Sequence, residues 1–131
     1  MRQVKIFGAL LGLCGILTGS PGGSAATKLM TETEKIESLI RTVDALEDAV
    51  FIRNGTEYNC HAAAEHMRAK WNWKKNEIKT ARDFIRVAAT SSSMSGKDYL
   101  IRFKDGREVK SADFLLAELA KIERNAGKGG G

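Results

Sequence analysis

Cysteine, proline, aromatic residues and excess charge are all scarce in this chain. It has two cysteines, one proline, 7% aromatics, and 21 Lys and Arg against 16 Asp and Glu in 131 residues. Cys14 falls in the N-terminal leader described below, so Cys60 stands alone in the rest of the chain and no intramolecular disulfide framework is available. A lone thiol in an oxidising compartment is buried, reactive or paired with another molecule, and burial is the expectation for Cys60. Removing Arg2 and Lys5 with the leader leaves 19 basic residues against 16 acidic, a net charge of +3. That is too little to argue for nucleic acid, whose binding rests on many phosphate contacts. No apolar run reaches the ~20 residues that a membrane-spanning helix needs. There is no Cys-x-x-Cys, no His-Glu-x-x-His and no close carboxylate cluster, so neither a metal site nor a cofactor is expected. Ser95-Gly96-Lys97 lacks the preceding glycine of a phosphate-binding loop. The length excludes a large two-domain enzyme.

What is present begins with an export signal. Arg2 and Lys5 precede an uncharged stretch, Ile6 to Thr18, containing Leu10, Leu11, Leu13, Ile16 and Leu17, and small residues Ser24-Ala25-Ala26 follow. This three-part layout is that of a secretory signal peptide over residues 1–26, cut before Thr27. Gly8, Gly12 and Gly15 interrupt the apolar run and argue against a retained anchor. Leu13, a large residue before Cys14, argues against lipoprotein processing. The expectation is a periplasmic protein with no transmembrane anchor after cleavage, a single domain over residues 27–124, and a disordered glycine-rich tail over residues 125–131.

Thr31 and Glu34 form a capping box, after which Ile36, Leu39, Ile40, Val43, Leu46 and Val50 recur at helical spacing. A helix is expected from about Glu32 to Ala49. Asn54-Gly55 between Phe51-Ile52-Arg53 and Thr56-Glu57-Tyr58 signals a β-hairpin, because both turn residues accept positive φ. The turn reading takes precedence over the glycosylation pattern that Asn54-Gly55-Thr56 formally fits. Asn59 caps a second helix with Ala63, Ala64, Met67 and Trp71 on one face, ending near Trp73 to Asn76. Thr80 with Asp83 opens a third helix carrying Phe84 and Ile85. The polar stretch Ser91 to Gly96 is a loop, Tyr99 to Phe103 a strand, Asp105-Gly106 a second hairpin turn, and Arg107 to Lys110 the return strand. Ser111 is expected to cap the last helix, whose buried face holds Phe114, Leu115, Leu116, Leu119 and Ile122. The expected class is α+β: a small single domain with four helices and two short β-hairpins.

Several blocks in this order resemble the YfeK-like family of small exported bacterial proteins. They are Phe51-Ile52-Arg53-Asn54-Gly55, Ala63-Ala64-Glu65-His66-Met67-Arg68, Thr80-Ala81 with Phe84-Ile85, and Ser91-Ser92-Ser93 with Ser95-Gly96-Lys97 and Tyr99. The resemblance extends from about Ile36 to Leu119. The Trp71 to Lys75 segment and the glycine tail are not among the family's features. The family is a domain of unknown function, so the resemblance implies a compartment and a domain extent and transfers no catalytic residues.

Among residues with chemical potential, His66 sits at the edge of the second helix's apolar face, while His61 is expected in solvent. The two lie about 140° apart around a helix, so they do not converge with Cys60 on a metal. The loop residues Ser91, Ser92, Ser93, Ser95 and Lys97, with Tyr99, Tyr58 and His66, form the candidate ligand- or partner-binding set. Arg68, Lys70, Lys74, Lys75 and Lys79 around Trp71 and Trp73 form a basic, aromatic stretch suited to an anionic surface, with Trp73 alone expected to be exposed. The preferred reading is a non-enzymatic binding or accessory module of the cell envelope, meeting an envelope protein or an anionic envelope component. The alternatives are a small hydrolase or transferase using His66 with a serine or Cys60, and an inhibitor or helper of another exported protein.

Overall fold

The Thr31 hydroxyl accepts the Glu34 N–H at 3.1 Å, and the Glu34 carboxylate accepts the Thr31 N–H at 2.8 Å. This reciprocal cap starts α1 (Glu32–Asp44), whose stripe of Ile36, Leu39, Ile40 and Val43 is buried. The structure, a computed structural model, describes residues 29–129. The leader expected over residues 1–26 and its cleavage point lie outside the described residues. Met30–Glu123 form one compact unit.

The first helix is shorter than its periodicity indicates, closing at Ala45. Asp48 takes a left-handed φ of 60°, and the chain turns there so that Val50 enters a strand and leaves the helical stripe. β1 (Val50–Arg53) and β2 (Thr56–Asn59) form the expected hairpin, with Asn54 and Gly55 at φ 54° and 79°. The Asn59 side chain accepts the Ala62 N–H at 2.8 Å and opens α2 (Cys60–Trp73). The Thr80–Asp83 capping box opens α3 (Ala81–Ala88). β3 (Leu100–Arg102) and β4 (Glu108–Lys110) form the second hairpin, and α4 (Ser111–Gly129) follows.

The two hairpins are not separate. β1 pairs antiparallel with β3, giving one four-stranded sheet in the order β2-β1-β3-β4. The registers align Tyr58, Phe51, Ile101 and Val109 in a row across one face, with Phe51 and Ile101 fully buried. Leu39, Met67, Phe84, Leu115 and Leu119, drawn from all four helices, complete the core. Leu116, expected on the buried face, is 40% exposed, because it lies about 100° around the helix from Leu115. The protein is thus a small α+β domain of four helices and two hairpins.

The start of α4 differs from expectation. Ser111 is the first helical residue and does not act as a side-chain cap: it is 0% exposed and its hydroxyl finds no partner. Its N–H instead donates to the Tyr99 carbonyl at 2.8 Å, so the helix grows directly out of the β3–β4 pairing. At its far end α4 remains helical through Gly129, within the segment expected as a disordered tail, since each added turn propagates from the one before.

Candidate functional site

α2 places His66, Ala69, Lys70 and Trp73 at i, i+3, i+4 and i+7, one continuous stripe of the helix. Strand alternation brings two residues of the sheet beneath that stripe. Arg53 follows Phe51 by two positions on the inward face of β1, and Tyr99 precedes Ile101 by two positions, just before β3. Ser92, Ser93 and Met94 close the third side. These residues line a cleft of about 490 Å³. A smaller cavity of about 140 Å³, lined in part by Phe51 and Tyr58, adjoins it and shares Arg53 and His66.

The cleft is cationic and carries no carboxylate in its lining. Lys70 is 8% exposed, and its ammonium donates one long hydrogen bond, 3.5 Å, to the Tyr99 hydroxyl. The same Nζ lies 5.6 Å from the centroid of the Tyr99 ring. A lysine this deep ordinarily has an acidic partner; among the described residues Lys70 has none. Arg53 likewise makes no ion pair among them, and its Nε is buried without a hydrogen-bond partner. His66 Nε2 is also buried and unpartnered, while the ring meets Tyr99 edge-on at 6.4 Å between centroids. Burial first, then the charges of Arg53 and Lys70, hold the His66 pKa below the usual histidine value, so the ring is neutral at pH 7.

The serine loop is anchored to the first hairpin. Asn54 Nδ2 donates to Ser92 Oγ at 3.2 Å, and Ser95 Oγ donates to Asn54 Oδ1. Ser92 Oγ also accepts the N–H groups of Met94 at 3.2 Å and Ser95 at 3.4 Å, and Ser92 is buried. The side chain of Asn54, held in the left-handed turn conformation, therefore sets one wall of the cleft.

Of the residues singled out from sequence, His66, Ser92, Ser93 and Tyr99 meet in the main cleft, and Tyr58 lines the adjoining cavity. Ser91, Ser95 and Lys97 line neither. Ser91 bridges to Asp98, Ser95 braces Asn54, and Lys97 is exposed. Cys60 is buried, its thiol donating to the Ala49 carbonyl at 3.6 Å, and burial raises its pKa. His61 sits in solvent against Asp44 at 2.7 Å and Glu65 at 3.3 Å, which raise its pKa.

The basic stretch does not form one exposed patch. Lys70 turns inward, Arg68 pairs with Glu37 at 2.8 Å, and Lys74 lies 5.1 Å from the Trp73 ring centroid and 3.6 Å from Glu77. Trp71 packs partly buried against Phe84, and Trp73 is 79% exposed. Arg53 is not among the residues singled out from sequence, and Lys70 is singled out only within the basic stretch. Their signal was the inward position of Arg53 in the alternation of β1 and the i+4 relation of Lys70 to His66.

Among the described residues no three His, Cys, Asp or Glu side chains gather where they could hold a metal ion, and no helix is long and apolar enough to cross a membrane. Residues 30–123 match the model of a family of unknown function, DUF5329. The chain is similar to the uncharacterized protein YfeK of Salmonella typhimurium, with 38% identity over 68 residues covering 52% of this chain and 57% of that protein. The matched segment thus spans little more than half of that relative. No solved structure matches.

Proposed function

The chain belongs to DUF5329, the YfeK-like family of unknown function, and we propose that it is an exported, non-enzymatic module of the bacterial envelope that binds a small anionic ligand in the cleft between α2, β1 and the serine loop. The observation that carries this reading is the pair of cations, Lys70 and Arg53, brought together in a cleft whose lining has no carboxylate. Burying an uncompensated charge is costly, and an entering anion would supply the missing partner. Tyr99 holds the lysine in place, and the rigid serine loop sets the entrance.

The arrangement favours binding over hydrolysis. Ser92 is the buried serine of the cleft, and its oxygen already serves Asn54, Met94 and Ser95. A nucleophile needs a base within hydrogen-bond reach, yet the inward nitrogen of His66 bonds to neither a hydroxyl nor a thiol. Cys60 lies outside the cleft as a neutral thiol.

The experiment is calorimetric titration of the purified protein with acetate, phosphate and longer anions, alongside Lys70→Gln and Arg53→Gln. Charge-assisted hydrogen bonds contribute ~1.5–3 kcal/mol, so each substitution is expected to weaken binding by about tenfold or more. Affinity unchanged in both variants would place anion binding elsewhere. Export is tested separately, by fractionating cells and sequencing the N-terminus of the envelope form, which is expected to begin at Thr27.

A further inference from the structure

The cleft has two kinds of lining: the basic side chains Arg53, His66 and Lys70, and the large apolar side chains Trp73 on α2 and Met94 on the serine loop. Trp73 is 79% exposed and Met94 is 92% exposed, and both are among the few large apolar side chains that the described residues leave in water. They belong to different elements yet face the same space. Ala69, small and one turn before Trp73 on the same helical stripe, also lines the cleft.

Resting on the anion-binding reading above, we infer that the ligand is an anionic amphiphile, a single acyl or alkyl chain bearing a carboxylate or phosphate head. Its head lies between Arg53 and Lys70, and its chain runs out between Trp73 and Met94. An inorganic ion alone would satisfy the cations but leave most of a 490 Å³ cleft and both apolar side chains in water. Clefts of ~300–1,000 Å³ suit ligands of small-molecule size. From Lys70 to Trp73 the helix rises about 4.5 Å, so an octyl chain anchored at the cations reaches Trp73 and passes it. Methionine adapts its shape to varied apolar partners, and tryptophan lies readily where an apolar body meets water. The buried Nε of Arg53 and Nε2 of His66, both without partners, are left for the head group.

The test is calorimetric titration of the purified protein with octanoate and octyl phosphate, against acetate and phosphate as heads without chains, octanol as a chain without a head, and octyltrimethylammonium as the opposite charge. The expected result is binding of octanoate or octyl phosphate at least tenfold tighter than its bare head and at least tenfold tighter than octanol, with no binding of the cation. The preferred head distinguishes a carboxylate source from a phosphate source. Lys70→Gln is expected to cost about tenfold, and Trp73→Ala, at an exposed position that does not threaten folding, is expected to bring octanoate down toward acetate. Bare heads binding as tightly as the chained anions would overturn the amphiphile and leave the anion site standing. Octanol binding as tightly as octanoate, or no binding of any anion, would overturn both.

Discussion

The Lys70 ammonium rests 3.5 Å from the Tyr99 hydroxyl, so that a phenol holds this buried cation where a carboxylate would be usual. A phenol orients the charge without neutralising it. Replacing an unpaired buried charge by an apolar side chain of similar length removes a desolvation cost. Lys70→Met is therefore expected to lose anion binding while its stability changes by less than about 1 kcal/mol or rises. Thermal denaturation checks this. A large fall in Tm would mean that Lys70 is a structural element of the core.

Asn54 separates turn geometry from loop bracing. Its left-handed φ of 54° favours Asn or Gly, and its side chain holds Ser92 and Ser95. Asn54→Gly keeps the turn and loses only the bracing, at about 1 kcal/mol per hydrogen bond. Asn54→Ala also places a Cβ in the left-handed region, adding about 1–2 kcal/mol. Urea unfolding should rank alanine below glycine, and in both variants the amides of Met94 and Ser95, which donate to Ser92 Oγ, should exchange faster with solvent. Equal stability of the two variants would show that the turn tolerates any residue.

The two histidines are expected to oppose each other in pH dependence. His66 has a depressed pKa in the folded state, so below its ordinary value of about 6.5 the unfolded chain takes up the proton first. Stability is then lost as pH falls through that value toward the folded pKa. His61 has a raised pKa through Asp44 and Glu65, so its contribution is full below about 6.5 and fades as pH rises through the folded value. Within the range from pH 8 to 5, His66→Gln should flatten the loss of stability on acidification below about 6.5, and His61→Gln should remove a gain that accrues as pH falls to about 6.5 from above. Denaturation midpoints measured across that range check both signs.

Glu32 ties two helix starts together. Its Oε1 accepts the Ala81 N–H at 2.8 Å and its Oε2 accepts from Lys35 at 3.0 Å, and the bond from Ala81, ahead of Lys35, holds its pKa below the ordinary glutamate value. Its contribution is present above the unfolded pKa and lost as pH falls through the folded one. Glu32→Ala is expected to cost about 1 kcal/mol at pH 7 and little in strong acid, as urea unfolding at the two pH values would show.

Local signals carried most of the elements. The Thr31, Asn59 and Thr80 caps and the Asn54-Gly55 turn act over three or four residues, and each appears where its residues predict. What acts at a distance left no such trace. The β1–β3 pairing that fuses the hairpins depends on Phe51 meeting Ile101 across the sheet, and the early end of α1 depends on Val50 being drawn into that pairing. The site divides in the same way. The serine loop stands out by composition, whereas Arg53 and Lys70 read as ordinary surface cations until the sheet and α2 close over them. Lys70 in particular belongs by sequence to a basic run, and only the packing of α2 on Tyr99 turns it inward.

The most direct test of the account is an amide and side-chain NMR titration of the purified protein with octanoate. The account predicts shifts concentrated at Arg53, His66, Lys70, Trp73 and Ser92 to Met94. Shifts confined to the separate hollow beside α1, at Met30, Thr33, Glu37 and Arg41, or spread evenly over the surface, would contradict it.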